Sequence, residues 1–161
     1  MHIDAPPDRV WRMLTDISRM GQWSPITYKC EWLDGATQAR VGARFKGWNR
    51  QPPARWWTIC EVTAVEPGKI FEFRTVEVSK PFSFGVGQPR EMTRWRFEFE
   101  PEDIGTRVNE RYDVSFVPPL LGIPERIART IGARRLVDNR RAKTNEGMDE
   151  TLRRLKDAAE Q

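Results

Sequence analysis

The chain has 161 residues, with 27 Lys and Arg against 23 Asp and Glu, a net charge of +4. Its only histidine is His2 and its two cysteines, Cys30 and Cys60, have no metal-ligand spacing, so a zinc site, a Ser-His-Asp triad and a disulfide framework fail on inventory. No apolar run approaches the ~20 residues of a membrane-spanning helix, and Met1-His2-Ile3-Asp4 lacks the basic and apolar stretches of a signal peptide; the expectation is one cytoplasmic domain over residues 1–161, with both thiols reduced and buried.

In chain order, Asp4-Ala5-Pro6-Pro7 reads as a helix start, with Asp4 able to accept from orphan amides and proline tolerated in the first turn. Val10, Trp11, Leu14 and Ile17 recur at helical spacing, which predicts an amphipathic helix over residues 6–17. Ser18 caps a second short turn ending near Gly21, and Trp23-Ser24-Pro25 leads out of it. Tyr28, Cys30 and Trp32 then alternate with Lys29 and Glu31 as a strand that Asp34-Gly35 closes. Further strands are predicted over residues 42–50, 55–65 and 69–78, the last two joined by a tight turn at Glu66-Pro67-Gly68.

The clearest strand is 92–100. Thr93, Trp95, Phe97 and Phe99 share one face and Arg94, Arg96, Glu98 and Glu100 the other, the alternation of a sheet with one dry side. After a turn at Glu102–Gly105, residues 106–117 place Val108, Glu110, Tyr112, Val114 and Phe116 on one face. Residues 118–124 form an apolar, proline-rich loop. Residues 125–159 are polar and rich in helix formers, with Ile127, Ile131, Met148, Leu152 and Leu155 in one stripe and Gly132 as a candidate kink. A sheet with one dry face has to be covered, and this last helix is the only element long enough to do so.

The order of elements resembles the SRPBCC, or START-like, superfamily, in particular its polyketide cyclase/dehydrase-type branch. The likeness is carried by Ile3-x-Ala5-Pro6-x-x-x-Val10-Trp11-x-x-Leu14-x-Asp16, Met20-x-x-Trp23-Ser24-Pro25, Gly42-Ala43-Arg44-Phe45-x-Gly47, Arg55-Trp56-x-Thr58, Val62-x-x-x-Glu66-Pro67-Gly68, Trp95-x-Phe97-x-Phe99, Gly105-Thr106-x-Val108 and Thr151-Leu152-x-x-Leu155-Lys156. It implies an α+β helix-grip fold: a curved antiparallel sheet of about seven strands wrapped around a long C-terminal helix, with two short helices after the first strand. In that family the first strand usually begins several residues before the Ile-x-Ala-Pro motif. Here only Met1-His2-Ile3 precedes it, so either the native start lies upstream or a sheet edge is poorly paired.

The resemblance also implies an internal apolar cavity, with no cofactor and no metal. The side chains expected to line it are Trp23, Pro25, Tyr28, Trp32, Phe45, Asn49, Trp56, Thr58, Phe73, Trp95, Phe97, Glu110, Tyr112 and Val114, an aromatic wall with a few polar groups; the bland alternative is a filled core in which tryptophans supply bulk. Glu110, between Val108 and Tyr112 on an apolar face, must be paired, hydrogen-bonded or protonated. Arg134, Arg135, Asn49 and the Tyr112 hydroxyl are its candidate partners. It reads as a ligand-orienting or acid/base group, or as a structural ion pair. Asn49 reads as a donor to a ligand carbonyl or as a turn residue, and Gly47 as a point of close approach or a bulge.

Three functions follow as alternatives: binding of a hydrophobic small molecule, such as a lipid or an aromatic polyketide-like compound; a cyclase or dehydratase in which Glu110, Tyr112 and Asn49 move protons; and a toxin-like or chaperone-associated interaction protein. Transient membrane contact through residues 118–124 and the basic helix after them is a further expectation. Nucleic acid is not expected as a partner, and both monomer and homodimer remain open.

Overall fold

The computed structural model describes residues 1–79, 92–114 and 134–161, with side chains placed outside 134–141. Its elements are β1 (His2–Ile3), α1 (Pro7–Thr15), a 3-10 turn (Ile17–Arg19), α2 (Met20–Trp23), β2 (Thr27–Trp32), β3 (Arg44–Gln51), β4 (Ala54–Glu66), β5 (Ile70–Val78), β6 (Thr93–Pro101), β7 (Thr106–Val114) and α3 (Arg134–Ala159). The strands form one antiparallel curved sheet in the order β1-β7-β6-β5-β4-β3-β2, and with α3 and the short N-terminal helices they make a helix-grip α+β fold. The apolar loop at 118–124, and the expected extensions of β7 to 117 and of the last helix back to 125, lie outside the described residues.

Helix α1 begins at Pro7, with Pro6 as an extended N-cap that makes no side-chain capping bond. Asp4 is therefore not the cap. Its backbone amide donates instead to Glu160 Oε1 at 2.7 Å, tying the start of the chain to the end of α3. Strand β1 is short but paired, His2 opposite Arg107 and Ile3 opposite Thr106, with Val108 N donating to Met1 O at 2.8 Å. At the β4–β5 turn Lys69 N donates to Glu66 O at 2.9 Å. Gly68 there has φ of +69°, and proline followed by a glycine at positive φ is the pattern of a type II turn. Gly21 is needed for another reason: a Cβ on it would lie 2.4 Å from Tyr28 O, so only glycine lets α2 sit this close to β2.

The core forms where one end of the sheet's inner face meets the helices. Val10, Leu14 and Ile17 come from the N-terminal elements, Val62, Phe71, Phe97, Phe99 and Val108 from the strands, and Leu152, Leu155 and Ala159 from α3. Phe45 and Phe73 meet edge to face at 5.1 Å, and Trp32 adds a second edge contact to Phe45 at 5.7 Å. Full burial of each such side chain is worth about 1.5–3 kcal/mol. On the outer face, Glu72 is almost completely covered. It accepts from Thr63 Oγ1 at 2.7 Å and from Arg94 and Arg96, each at 2.9 Å. Burial alone would raise this carboxyl, but those hydrogen bonds and the two guanidinium charges hold it below the usual carboxylate range.

Candidate ligand site on the inner face

Register places the inner-face side chains in oblique rows. One row reads Trp32, Phe45, Cys60, Thr75, Thr93, Val114, and the next Val62, Phe73, Trp95, Tyr112. A third reads Val65, Phe71, Phe97, Glu110. Glu110 thus terminates a row of phenylalanines. Strand alternation puts it there, because Val108 two residues earlier is in the core.

Among the described residues no partner compensates for that placement: Glu110 Oε2 is buried and makes no hydrogen bond there. Burial, and after it the negative charge of Asp149 on α3, push the carboxyl up to about 8. Asp149 lies on α3 three residues before Leu152, but it is exposed where Leu152 and Leu155 are buried. Of the partners expected for Glu110, Asn49 is engaged elsewhere, and the side chains of Arg134 and Arg135 lie outside the described residues. The group felt by Glu110 from the helix carries its own sign of charge. A buried, unpaired carboxyl in such a setting holds its proton.

Away from the phenylalanine core the inner face changes character. Trp95 and Tyr112 are in contact at 4.2 Å between ring centroids, and Trp56, Thr58, Trp95, Glu110 and Tyr112 are only half-buried, unlike the phenylalanines of the core. A ladder of small polar groups crosses the floor. Thr27 Oγ1 donates to Asn49 Oδ1 at 2.7 Å, Asn49 Nδ2 reaches Thr58 Oγ1 at 3.4 Å, Cys60 Sγ lies 3.7 Å from Thr75 Oγ1, and Thr93 Oγ1 donates to Thr75 Oγ1 at 2.8 Å. Gly47 leaves room for this ladder: a Cβ there would meet Thr58 Oγ1, Cys30 Sγ and a Thr27 methyl between 3.4 and 3.6 Å. Neighbouring side chains, and not the helix, make the close approach. Burial pushes the Cys30 thiol up to about 12 and that of Cys60 up to about 11, so both are neutral and poor nucleophiles.

Of the fourteen side chains singled out from sequence, Trp32, Phe45, Asn49, Trp56, Thr58, Phe73, Trp95, Phe97, Glu110, Tyr112 and Val114 share the inner face by register. Trp32, Phe45, Phe73 and Phe97 belong to the packed end, and Val114 is 50% exposed at the strand end. Trp23 is fully buried on α2, with Arg19 4.9 Å from its ring centroid and its Nε1 lacking a hydrogen-bond partner among the described residues. Pro25 is exposed and borders α3 at Gly147. Tyr28 departs from expectation. The register shift between Thr27 and Lys29 breaks the alternation, leaving the ring 51% exposed and 5.9 Å from the outer-face guanidinium of Arg50.

From residue 1 to residue 160 the sequence matches the family described as polyketide cyclase / dehydrase and lipid transport. The chain belongs to this family. No curated protein matches it in sequence. Among solved structures, the polyketide-cyclase-like protein Cgl2372 from Corynebacterium glutamicum is 28% identical over 97% of this chain and 85% of its own, with a TM-score of 0.59. One half of the di-domain aromatase/cyclase StfQ of the steffimycin biosynthetic pathway superposes on 99% of this chain and 48% of its own at a TM-score of 0.70 and 15% identity. Major latex-like protein 151 from Panax ginseng covers 99% of this chain and 93% of its own at a TM-score of 0.67 and 12% identity. The last two likenesses concern the fold alone.

In this member of the polyketide cyclase/dehydrase family, sequence reasoning missed Asp149 and the Thr75–Thr93 pair. Asp149 had no signal, since it is an exposed helix residue beside the Met148, Leu152, Leu155 stripe and not on it. The threonine contact had none, because it depends on which residues of β5 and β6 stand opposite each other.

Proposed function

We propose that the protein binds a hydrophobic small molecule, a lipid or an aromatic polyketide-like compound, between the inner face of the sheet and α3, with Glu110 meeting the polar end of the guest. The observation that carries this reading is the buried, unpartnered Oε2 of Glu110 at the end of a phenylalanine row. A buried polar atom without a partner costs about 1–3 kcal/mol, a cost removed when a ligand or an enclosed water supplies the missing bond. Half-buried Trp95 and Tyr112, in the next row of the same strand pair, offer apolar and π surface, and the family description includes lipid transport. Native mass spectrometry of freshly purified protein tests the reading. A co-purified hydrophobic molecule supports it. Glu110→Gln should then weaken that molecule's binding at least about tenfold, the equivalent of ~1.4 kcal/mol for one lost hydrogen bond to an ionisable group; unchanged affinity removes Glu110 from the site.

A second reading, a cyclase or dehydratase acting in the same place, is favoured by one feature: a carboxyl that titrates near physiological pH beside a tyrosine is suited to proton transfer. Here Glu110 would donate a proton to a substrate carbonyl or leaving hydroxyl, with Tyr112 next to it on the strand. Turnover of a polyketide-type substrate that Glu110→Gln abolishes while binding persists separates catalyst from carrier.

A further inference from the structure

The outer face of the β3–β4 hairpin carries a charge pattern that the inner-face site does not use. Arg50 and Arg55 stand directly opposite each other in register. Each alternates with an inner-face neighbour, Asn49 or Trp56, so both guanidinium groups point outward, and both residues are exposed. Like charges placed directly across a strand pair oppose pairing. Among the described residues no carboxylate forms an ion pair with Arg50, Arg55 or Lys46.

Further along the same face, Lys46 Nζ sits between two indoles, 5.0 Å from the Trp48 ring centroid and 4.6 Å from that of Trp57. Lys29 Nζ covers Trp48 at 4.7 Å. Tyr28, turned outward by the β2 bulge, lies beside Arg50. Against these four cations stand Glu31, opposite Lys46 in register and paired with Lys29 at 2.5 Å, and Glu61 further along β4, paired with Arg74 at 3.0 Å.

We infer that this face of β2, β3 and β4 docks on an anionic lipid surface. Charge complementarity calls for a polyanion, and the aromatic groups say which kind. Trp48 has two ammonium groups over its ring and Trp57 has one, which leaves little free ring surface for stacking nucleobases, on which single-stranded nucleic-acid binding relies. Indole and phenol rings next to Lys and Arg are instead suited to the headgroup layer of a bilayer, where the rings sit among the headgroups and the cations meet the negative surface potential. Asn49 and Trp56 lie on the inner side of the same hairpin, so a docked bilayer would lie beside the half-buried end of the inner face. The docking itself does not depend on what that face binds.

The test is co-sedimentation with vesicles of phosphatidylcholine alone and of phosphatidylcholine with phosphatidylserine, at low and physiological salt, with a fluorescent oligothymidylate as competitor. The expected result is binding to the anionic vesicles only, weakened by salt, with quenching of tryptophan fluorescence by brominated lipid. Arg50→Glu/Arg55→Glu should lower that binding roughly twentyfold or more, at on the order of fivefold per basic residue near an anionic surface. Arg9→Glu/Arg12→Glu on α1 changes the net charge equally and should leave most of the binding. Both variants alter exposed side chains and are checked for folding by circular dichroism. Failure to bind anionic vesicles, an equal loss in the two double variants, or displacement by the oligonucleotide overturns the inference. Loss of ligand binding in Glu110→Gln with vesicle binding intact bears on the inner-face reading alone.

Discussion

The charge of Asp149 on α3 acts on the carboxyl of Glu110 on β7 and, after burial, raises it. Asp149 is exposed, and Glu110 is half-buried with an enclosed Oε2 that has no hydrogen bond among the described residues. Most of the protein's testable chemistry follows from this pair.

The first consequence is a pH dependence of stability. The Glu110 carboxyl stands near 8 in the folded chain against an ordinary value of 4.5. The folded state therefore holds a proton that the unfolded state releases between those values. The stabilising contribution is complete below 4.5 and is lost as pH rises through 8, with a slope of about 1.4 kcal/mol per pH unit inside the window. Glu110→Gln keeps the shape and removes the titration. Urea denaturation at pH 5.5 and 8.5 should show the variant gaining on the parent by a few kcal/mol, in order of magnitude, at the higher pH. Parallel stabilities at both values would show that Glu110 is ionised throughout.

Asp149→Asn should lower the Glu110 value only in part, because burial is the larger cause and the Asp149 charge the smaller. Carboxyl titration by NMR reads this directly. A return of Glu110 to the ordinary carboxylate range would reverse that ranking.

Glu72 works in the opposite sense. Its carboxyl is held low by Thr63, Arg96 and Arg94 despite burial, so its contribution is present above the ordinary value and is lost as pH falls through the lowered one. Glu72→Gln should cost about 1–3 kcal/mol at pH 7 and less as pH falls below the ordinary carboxylate value, measured by chemical denaturation at pH 7 and pH 3. A larger cost at pH 3 would contradict the assignment.

Two substitutions separate packing from binding. Gly21→Ala forces a methyl toward Tyr28 O and should cost about 1–3 kcal/mol by overpacking, seen as a lower thermal midpoint. Asn49→Ala breaks both of its threonine contacts and should destabilise by about 1 kcal/mol or more. If it instead left stability unchanged and weakened a verified ligand, Asn49 would belong to the ligand and not to the ladder.

Much of this fold was legible from residue pattern. The alternation over 92–100 placed Trp95, Phe97 and Phe99 on the dry face, where Phe97 and Phe99 are now buried, and the Glu66-Pro67-Gly68 turn stands where it was expected. Two local expectations failed. Asp4 lost the cap of α1 because Pro6 already supplies the extended residue before the helix. Tyr28 left the inner face because one extra residue in β2 reverses the side to which a ring points.

By itself, then, the order of periodic segments determined the sheet, its dry face and the presence of a carboxyl on it, because side-chain alternation along a strand is a local property of the backbone. What stands opposite that carboxyl was decided only by tertiary structure. The action of the Asp149 charge on Glu110 depends on strand register and on how α3 lies across the sheet, and both are set by long-range packing between residues far apart in the chain.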